Sequence, residues 1–182
     1  MRVLTWDLEI ATPADEVPGG WEAVRRGDAG VSCICMYDTE TRRVHVYDEH
    51  DLEEAMAHLN EADLLVGFNS TGFDTPIMES VTGWTLNPAQ YDILTEVWRA
   101  LPNRQKGYKL AEICGRLELG HKVRTGDSAP NLYRDGKMGK LIDYCINDVH
   151  ITRSLANWIN TEGYILTPEY EQLGISPPGV EV

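Results

Sequence analysis

Long apolar runs are missing from this 182-residue chain, so no segment is expected to span a bilayer. The N-terminus, Met-Arg-Val-Leu-Thr-Trp-Asp, lacks an apolar signal region. A cytoplasmic protein with no membrane partner is therefore expected. Cysteine is scarce, with only Cys33, Cys35, Cys114 and Cys145. Cys33 and Cys35 stand two apart, a spacing that suits neither a zinc knuckle nor a redox CxxC pair, and all four are expected to be reduced and mostly buried. Internal repeats and low-complexity tracts are absent. Positive charge is also in short supply: 16 basic residues face 29 acidic ones, for a net charge of −13. That balance argues against nucleic-acid binding by bulk charge.

The deficit is uneven. Residues 1–100 carry 6 basic and 19 acidic side chains, whereas residues 101–182 carry 10 of each. Nine basic residues fall within 104–140, among them Arg104, Lys106, Lys109, Lys122 and Arg124, against four acidic ones. An acidic body with one basic strip suits a protein that holds cations in one place and a polyanion beside them; a soluble acidic protein with one mixed surface fits the same counts. Hydrophobic residues make up 42% and charged residues 25%, ordinary values for a globular chain that exclude a disordered chain, a coiled coil and a fibre. At about 150 residues per domain, one domain is expected. It is placed at residues 1–168, with a frayed tail over 169–182 containing Ser176-Pro-Pro-Gly.

Strands are predicted over Val3–Ile10, Val31–Tyr37, Arg43–Tyr47 and Leu64–Phe68, with a brief fifth at Tyr91. A polar loop over 11–30 is long enough to be functional, and it has room for a short helix at Trp21–Arg26. Helices are expected over 51–61, from Thr75-Pro76, up to Leu101, over Leu110–Leu117 and over Lys140–Trp158. Residues 121–140 look loop-rich. Trp6, Trp84, Trp98 and Trp158 read as core or near-core packing, Trp21 as a loop residue. The order βββαβα followed by helices indicates a mixed α/β sheet.

Three separated segments carry chemistry. In Trp6-Asp7-Leu8-Glu9-Ile10, strand alternation puts Asp7 and Glu9 on one side and Leu8 and Ile10 on the other. Two neighbouring carboxylates repel, so the pair is either solvated at an exposed edge or compensated by a cation. In Gly67-Phe68-Asn69-Ser70-Thr71-Gly72-Phe73-Asp74, Asp74 is either a helix cap or, with Thr75 capping, free for function. In Tyr144-Cys145-Ile146-Asn147-Asp148, Asp148 shares a helix stripe with Leu141, Tyr144, Ile151 and Leu155. A carboxylate on such a face is metal-bound or paired, or it reaches water at the stripe's margin. Four carboxylates from three elements form an oxygen donor set suited to Mg²⁺ or Mn²⁺. Asp92 reads as a structural acid. Gly126-Asp127-Ser128 sits mid-chain, away from the place a GDS-type hydrolase motif occupies.

The set Asp7-x-Glu9, Asn69-x-x-x-Phe73-Asp74 and Tyr144-x-x-x-Asp148 resembles the three motifs of the DEDD exonuclease superfamily. Tyr in the third motif is similar to the DEDDy branch, and the second motif resembles proofreading domains of family B DNA polymerases. The likeness runs from Met1 to Trp158 with no polymerase region after it, as for a free-standing domain. It implies a ribonuclease H-like fold of about five strands. It also implies a 3′–5′ exonuclease with two divalent metal ions, Mg²⁺ or Mn²⁺, that releases nucleoside 5′-monophosphates, preferably from single-stranded DNA. By the same likeness Asp7 touches both metals, Glu9 and Asp148 help hold one, Asp74 supports the other, and Tyr144 orients the attacking water. Leu8, Asn69 and Phe73 are expected to contact substrate, joined by Lys109 and Lys122 of the basic strip. Tyr108 and Tyr133 are expected either to stack on bases there or to be ordinary surface tyrosines. An exoribonuclease, a structure-specific endonuclease and a nonenzymatic nucleic-acid- or protein-binding module on the same fold are the alternatives. A polymerase, helicase or nuclease partner is compatible with each.

Overall fold

The computed structural model describes residues 1–120 and 128–182. Five strands form one sheet: β1 (Val3–Ile10), β2 (Val31–Asp38), β3 (Arg43–Asp48), β4 (Leu64–Gly67) and β5 (Ala89–Asp92), in the order β3-β2-β1-β4-β5. β1, β2 and β3 form an antiparallel meander, joined by a turn at Thr39–Arg42. β4 and β5 run parallel to β1 and are reached through the helices α2 (Leu52–Asn60) and α3 (Asp74–Thr82). This is the expected mixed α/β sheet.

Period-2 alternation along β1 divides the core. Leu4, Trp6, Leu8 and Ile10 pack with Ile34, Met36, Met56, Leu59, Ile77 and Met78 on one face. The opposite face carries Val3, Asp7 and Glu9. It is covered by α4 (Ile93–Ala100), α5 (Leu110–Arg116), α6 (Ala129–Arg134) and the long α7 (Met138–Glu162), with α1 (Gly20–Arg25) inside the 11–30 loop. Helices on both faces account for the almost unbroken burial of β2. α7 ends at Gly163, whose φ of 75° is the left-handed conformation glycine adopts without strain.

Several expectations change. α6 forms in the stretch read as loop, started by Pro130 in its first turn and fastened by the fully buried Leu132. Trp84 is 45% exposed rather than core, because it follows α3's C-cap on the way to β5. The tail is packed, not frayed. β6 (Tyr164–Leu166) pairs with β7 (Gln172–Gly174), and Ile175 and Val182 are buried. Asn157 holds Val182 at both main-chain atoms (2.7 and 3.0 Å), and Tyr91 donates to the Ser176 carbonyl at 2.6 Å. No described helix is long and apolar enough to cross a membrane.

Truncation after Gly174 removes two buried side chains and four hydrogen bonds, the fourth from the Ile175 amide to the Gly163 carbonyl. It is expected to cost about 3–5 kcal/mol, read as a lowered urea midpoint at constant slope.

Candidate active site

β1 is paired to β2 along its length, through Ile10, but to β4 only from Val3 to Thr5. Past Thr5 the two parallel strands part. The Leu8 amide on that open edge is taken by the Asp74 carboxylate, Oδ1 accepting at 3.1 Å. Asp74 therefore caps nothing. It is the first residue of α3, with its side chain turned back onto β1. Thr75 does not cap either, because its hydroxyl donates to Gln90 Oε1 at 2.8 Å. Asp74 is 3% exposed. Burial, with a smaller contribution from the Asp92 charge, pushes its carboxyl up to about 7, against the opposing hydrogen bonds from the Leu8 and Asp74 amides.

Asp7 and Glu9 project together on the α7 side. Their carboxylate oxygens lie within 4.8 Å of one another and of Cys145 Sγ. Cys145 ties α7 to β1 by donating its thiol to the Asp7 carbonyl at 3.5 Å. One turn further, Asp148 is 3% exposed, so it does not reach water at the stripe's margin. Asp148 and Asp7 line the same cleft of about 1010 Å³. Tyr144 is half-buried one turn before Asp148 on the same side of α7.

Asp92 organises the second segment from beneath. It accepts from the Asn69 and Thr71 amides (2.8 and 3.0 Å) and the Thr71 hydroxyl (2.5 Å), and it caps α4 through the Leu94 and Thr95 amides. Asn69 adopts a left-handed φ of 64° in that turn. Gly67 permits the turn to close, since a Cβ there would lie 2.5 Å from Ser70. Arg25 donates to the Gly72 carbonyl at 2.9 Å, tying α1 to the turn. Trp21 of α1 meets Phe73 edge-on, with ring centroids 6.0 Å apart.

The cleft is also lined by Trp21, Asn69, Trp98, Lys106 and Lys109. A second cleft of about 1090 Å³ lies around Arg2, Arg42, Arg153 and Val182, at the end of β1 remote from the carboxylates, and contains none of them. Trp98, packed against the core, and Trp21, in the 11–30 loop, stand where they are expected and in addition line the cleft. Trp98 occupies an apolar helical position like any core tryptophan, so nothing marked it out.

Other expected contacts fail. Leu8 is 3% exposed in the core with its amide committed to Asp74, so it offers nothing to a substrate. Tyr108 lines the cleft but is only 3% exposed, edge-on to Trp98 and under Arg116. Tyr133 donates to Glu49. The basic strip is not one free path: Arg116 is spent on the Leu166 and Gly107 carbonyls, and Arg134 pairs with Glu16 at 2.7 Å. Lys122, with His121, Arg124, Gly126 and Asp127, lies outside the described residues.

The mixed five-strand sheet with helices on both faces is a ribonuclease H-like fold. Residues 24–160 match the family RNase_H_2 of the RNase H superfamily, and the chain belongs to it. Among solved structures it is similar to the family B DNA polymerase from the hyperthermophilic archaeon Pyrobaculum calidifontis, at 18% identity and a TM-score of 0.67. The match covers 87% of this chain but only 24% of the polymerase. Comparison with curated protein sequences gives no match.

Asp74 has a folded-state pKa above its unfolded value, so the native state holds an extra proton between about pH 4 and the folded pKa of about 7. Its contribution to stability is present at low pH and is lost as pH rises through 7. In EDTA, wild type is expected to lose stability relative to Asp74→Asn between pH 5 and 8, measured by urea unfolding at each pH.

Proposed function

We propose that this domain is a 3′–5′ exonuclease of the DEDDy type, acting preferentially on single-stranded DNA and releasing nucleoside 5′-monophosphates. The observation that carries this reading is Asp7 and Asp148 lining one cleft with tryptophans and lysines, with Glu9 next to Asp7 and Asp74 held on the intervening Leu8 amide. RNase H superfamily membership and the likeness to a DNA polymerase support a nuclease and favour DNA.

The donors fit a hard divalent cation. All are carboxylates, and the raised pKa of Asp74 marks a buried acid short of compensating positive charge. Asp7, Glu9, Asp74 and Asp148 would hold two ions, Mg²⁺ or Mn²⁺, which supply an activated water and charge stabilisation for the departing oxygen. The chain's own residues do the rest. Tyr144, one turn from Asp148, hydrogen-bonds the attacking water, and Glu9 helps to place it. Trp21, edge-on to Phe73, gives the terminal base an aromatic surface, and Asn69 at the cleft wall offers it an amide. Lys106 and Lys109 meet the phosphates along the cleft floor. With only these two lysines of the basic strip in the cleft, binding is weak and its salt dependence shallow.

The test uses 5′-labelled DNA and RNA strands of one sequence with Mg²⁺, Mn²⁺ or EDTA. A ladder shortening from the 3′ end is expected, faster on DNA and abolished by EDTA and by Asp7→Ala. No cleavage of either strand by folded protein refutes the proposal, and faster RNA cleavage reassigns the substrate. Tyr144→Phe is expected to lower kcat by about 10²-fold or more with little change in KM, measured at saturating strand. Trp21→Ala should instead weaken strand binding by about 1–3 kcal/mol, read by fluorescence anisotropy with the inactive Asp7→Ala protein as background.

A further inference from the structure

Directly behind the carboxylate pair lies a group of thiols to which the proposed reaction gives no role. In the antiparallel register of β1 with β2, Asp7 stands opposite Cys35 and Glu9 opposite Cys33. Paired residues share a face, so both thiols lie on the side covered by α7. Cys145 descends from α7 onto them, and the three sulfurs lie within 4.8 Å of one another. All three residues are fully buried. The Cys145 sulfur is 3.9 Å from Asp7 Oδ2.

A tetrahedral Zn²⁺ with bonds of about 2.3 Å to sulfur sets its thiolates about 3.8 Å apart, so a contraction of about 1 Å at most closes the trio on an ion. A fourth ligand completes a tetrahedron on three sulfurs, and Asp7, whose Oδ2 lies 3.9 Å from the Cys145 sulfur, also lines the open cleft. The other histidine- and acid-rich cluster is already filled by a cation of the chain itself. Among Asp38, His45 and His58, the Arg2 guanidinium lies 2.9 Å from Asp38 Oδ2 and 2.8 Å from His58 Nε2.

We propose that Cys33, Cys35 and Cys145 form a binding site for a soft divalent cation, Zn²⁺ or Cd²⁺, with the Asp7 carboxylate as its fourth ligand. Soft thiolates select such ions over Mg²⁺ and Mn²⁺, which prefer oxygen. On binding, the three thiol protons pass to solvent and the ion's charge compensates the buried thiolates. The ion enters past Asp7 from the cleft. Resting on the nuclease reading, occupancy withdraws Asp7 from the hard cations, so the site is inhibitory.

The chain, stripped of metal and kept reduced with a phosphine, is titrated with Cd²⁺ while the thiolate-to-metal charge-transfer absorption is followed. A band saturating at one equivalent is expected, with affinity lowered at least about 100-fold in Cys145→Ala and in Cys35→Ala. Cys114→Ala should leave it unchanged, because Cys114 belongs to α5 and packs against the Ile151 carbonyl. No band in the wild type, or a band retained in both site variants with native circular dichroism, overturns the site. If Cys145→Ala does not fold, Cys35→Ala decides. Asp7→Asn should weaken binding about tenfold, and unchanged affinity there removes Asp7 from the ligand set. The readout is independent of cleavage: a chain that binds Cd²⁺ and cleaves nothing keeps the thiol site and loses only the nuclease reading.

Discussion

The parting of β1 from β4 after Thr5 leaves main-chain donors on a central strand without a ladder partner. A buried amide left unpaired costs about 1–3 kcal/mol, so something must reach it. Asp74 does so from the first turn of α3. That single hydrogen bond fixes where α3 begins relative to the sheet. It sets the Asp74 carboxylate on the main chain between Asp7 and Glu9. The acid that satisfies the divergence is thereby fixed next to the strand that carries Asp7 into the cleft.

The same economy recurs around Asp92. Its two oxygens serve the Asn69–Thr71 turn on one side and the start of α4 on the other. One buried acid thus connects the end of β4, the end of β5 and a helix N-terminus, where negative charge is favoured. Asp92 and Asp74 are both deeply buried, yet their surroundings differ. Asp92 is saturated with donors, whereas Asp74 accepts few and retains a raised pKa. Environment, not residue type, separates the structural acid from the candidate metal ligand.

Charge follows the same logic on a larger scale. The negative first hundred residues hold the candidate ligands on β1 and α3, while the lysines that reach the cleft come from the segment before α5. Among the described residues of the remaining strip, Arg116, Arg134 and Lys137 are bound to carbonyls and carboxylates of the protein itself. An acidic body with a small cationic floor favours cations at the carboxylates and permits only modest attraction for a polyanion.

Alternation along Val3–Ile10 was readable because strand geometry repeats every two residues, which put Asp7 and Glu9 together before any tertiary contact was considered. Helical spacing did the same for Tyr144 and Asp148, and Pro76 marked the first turn of α3. Local periodicity reaches no further. It could not say that the Leu8 amide is taken by Asp74, or that Tyr108 and Trp98 meet edge-on at the wall of the cleft. It read the tail as frayed, although Asn157, on a distant turn of α7, was its partner. α6 escaped notice because six residues carry too little periodicity to register, and its stability comes from burying Leu132. The sequence by itself determined the order of elements and the face each acid occupies, since those follow from short-range geometry. Tertiary structure alone decided which acid meets which amide and which thiols gather behind Asp7, because those distances depend on how strands diverge and how α7 crosses them.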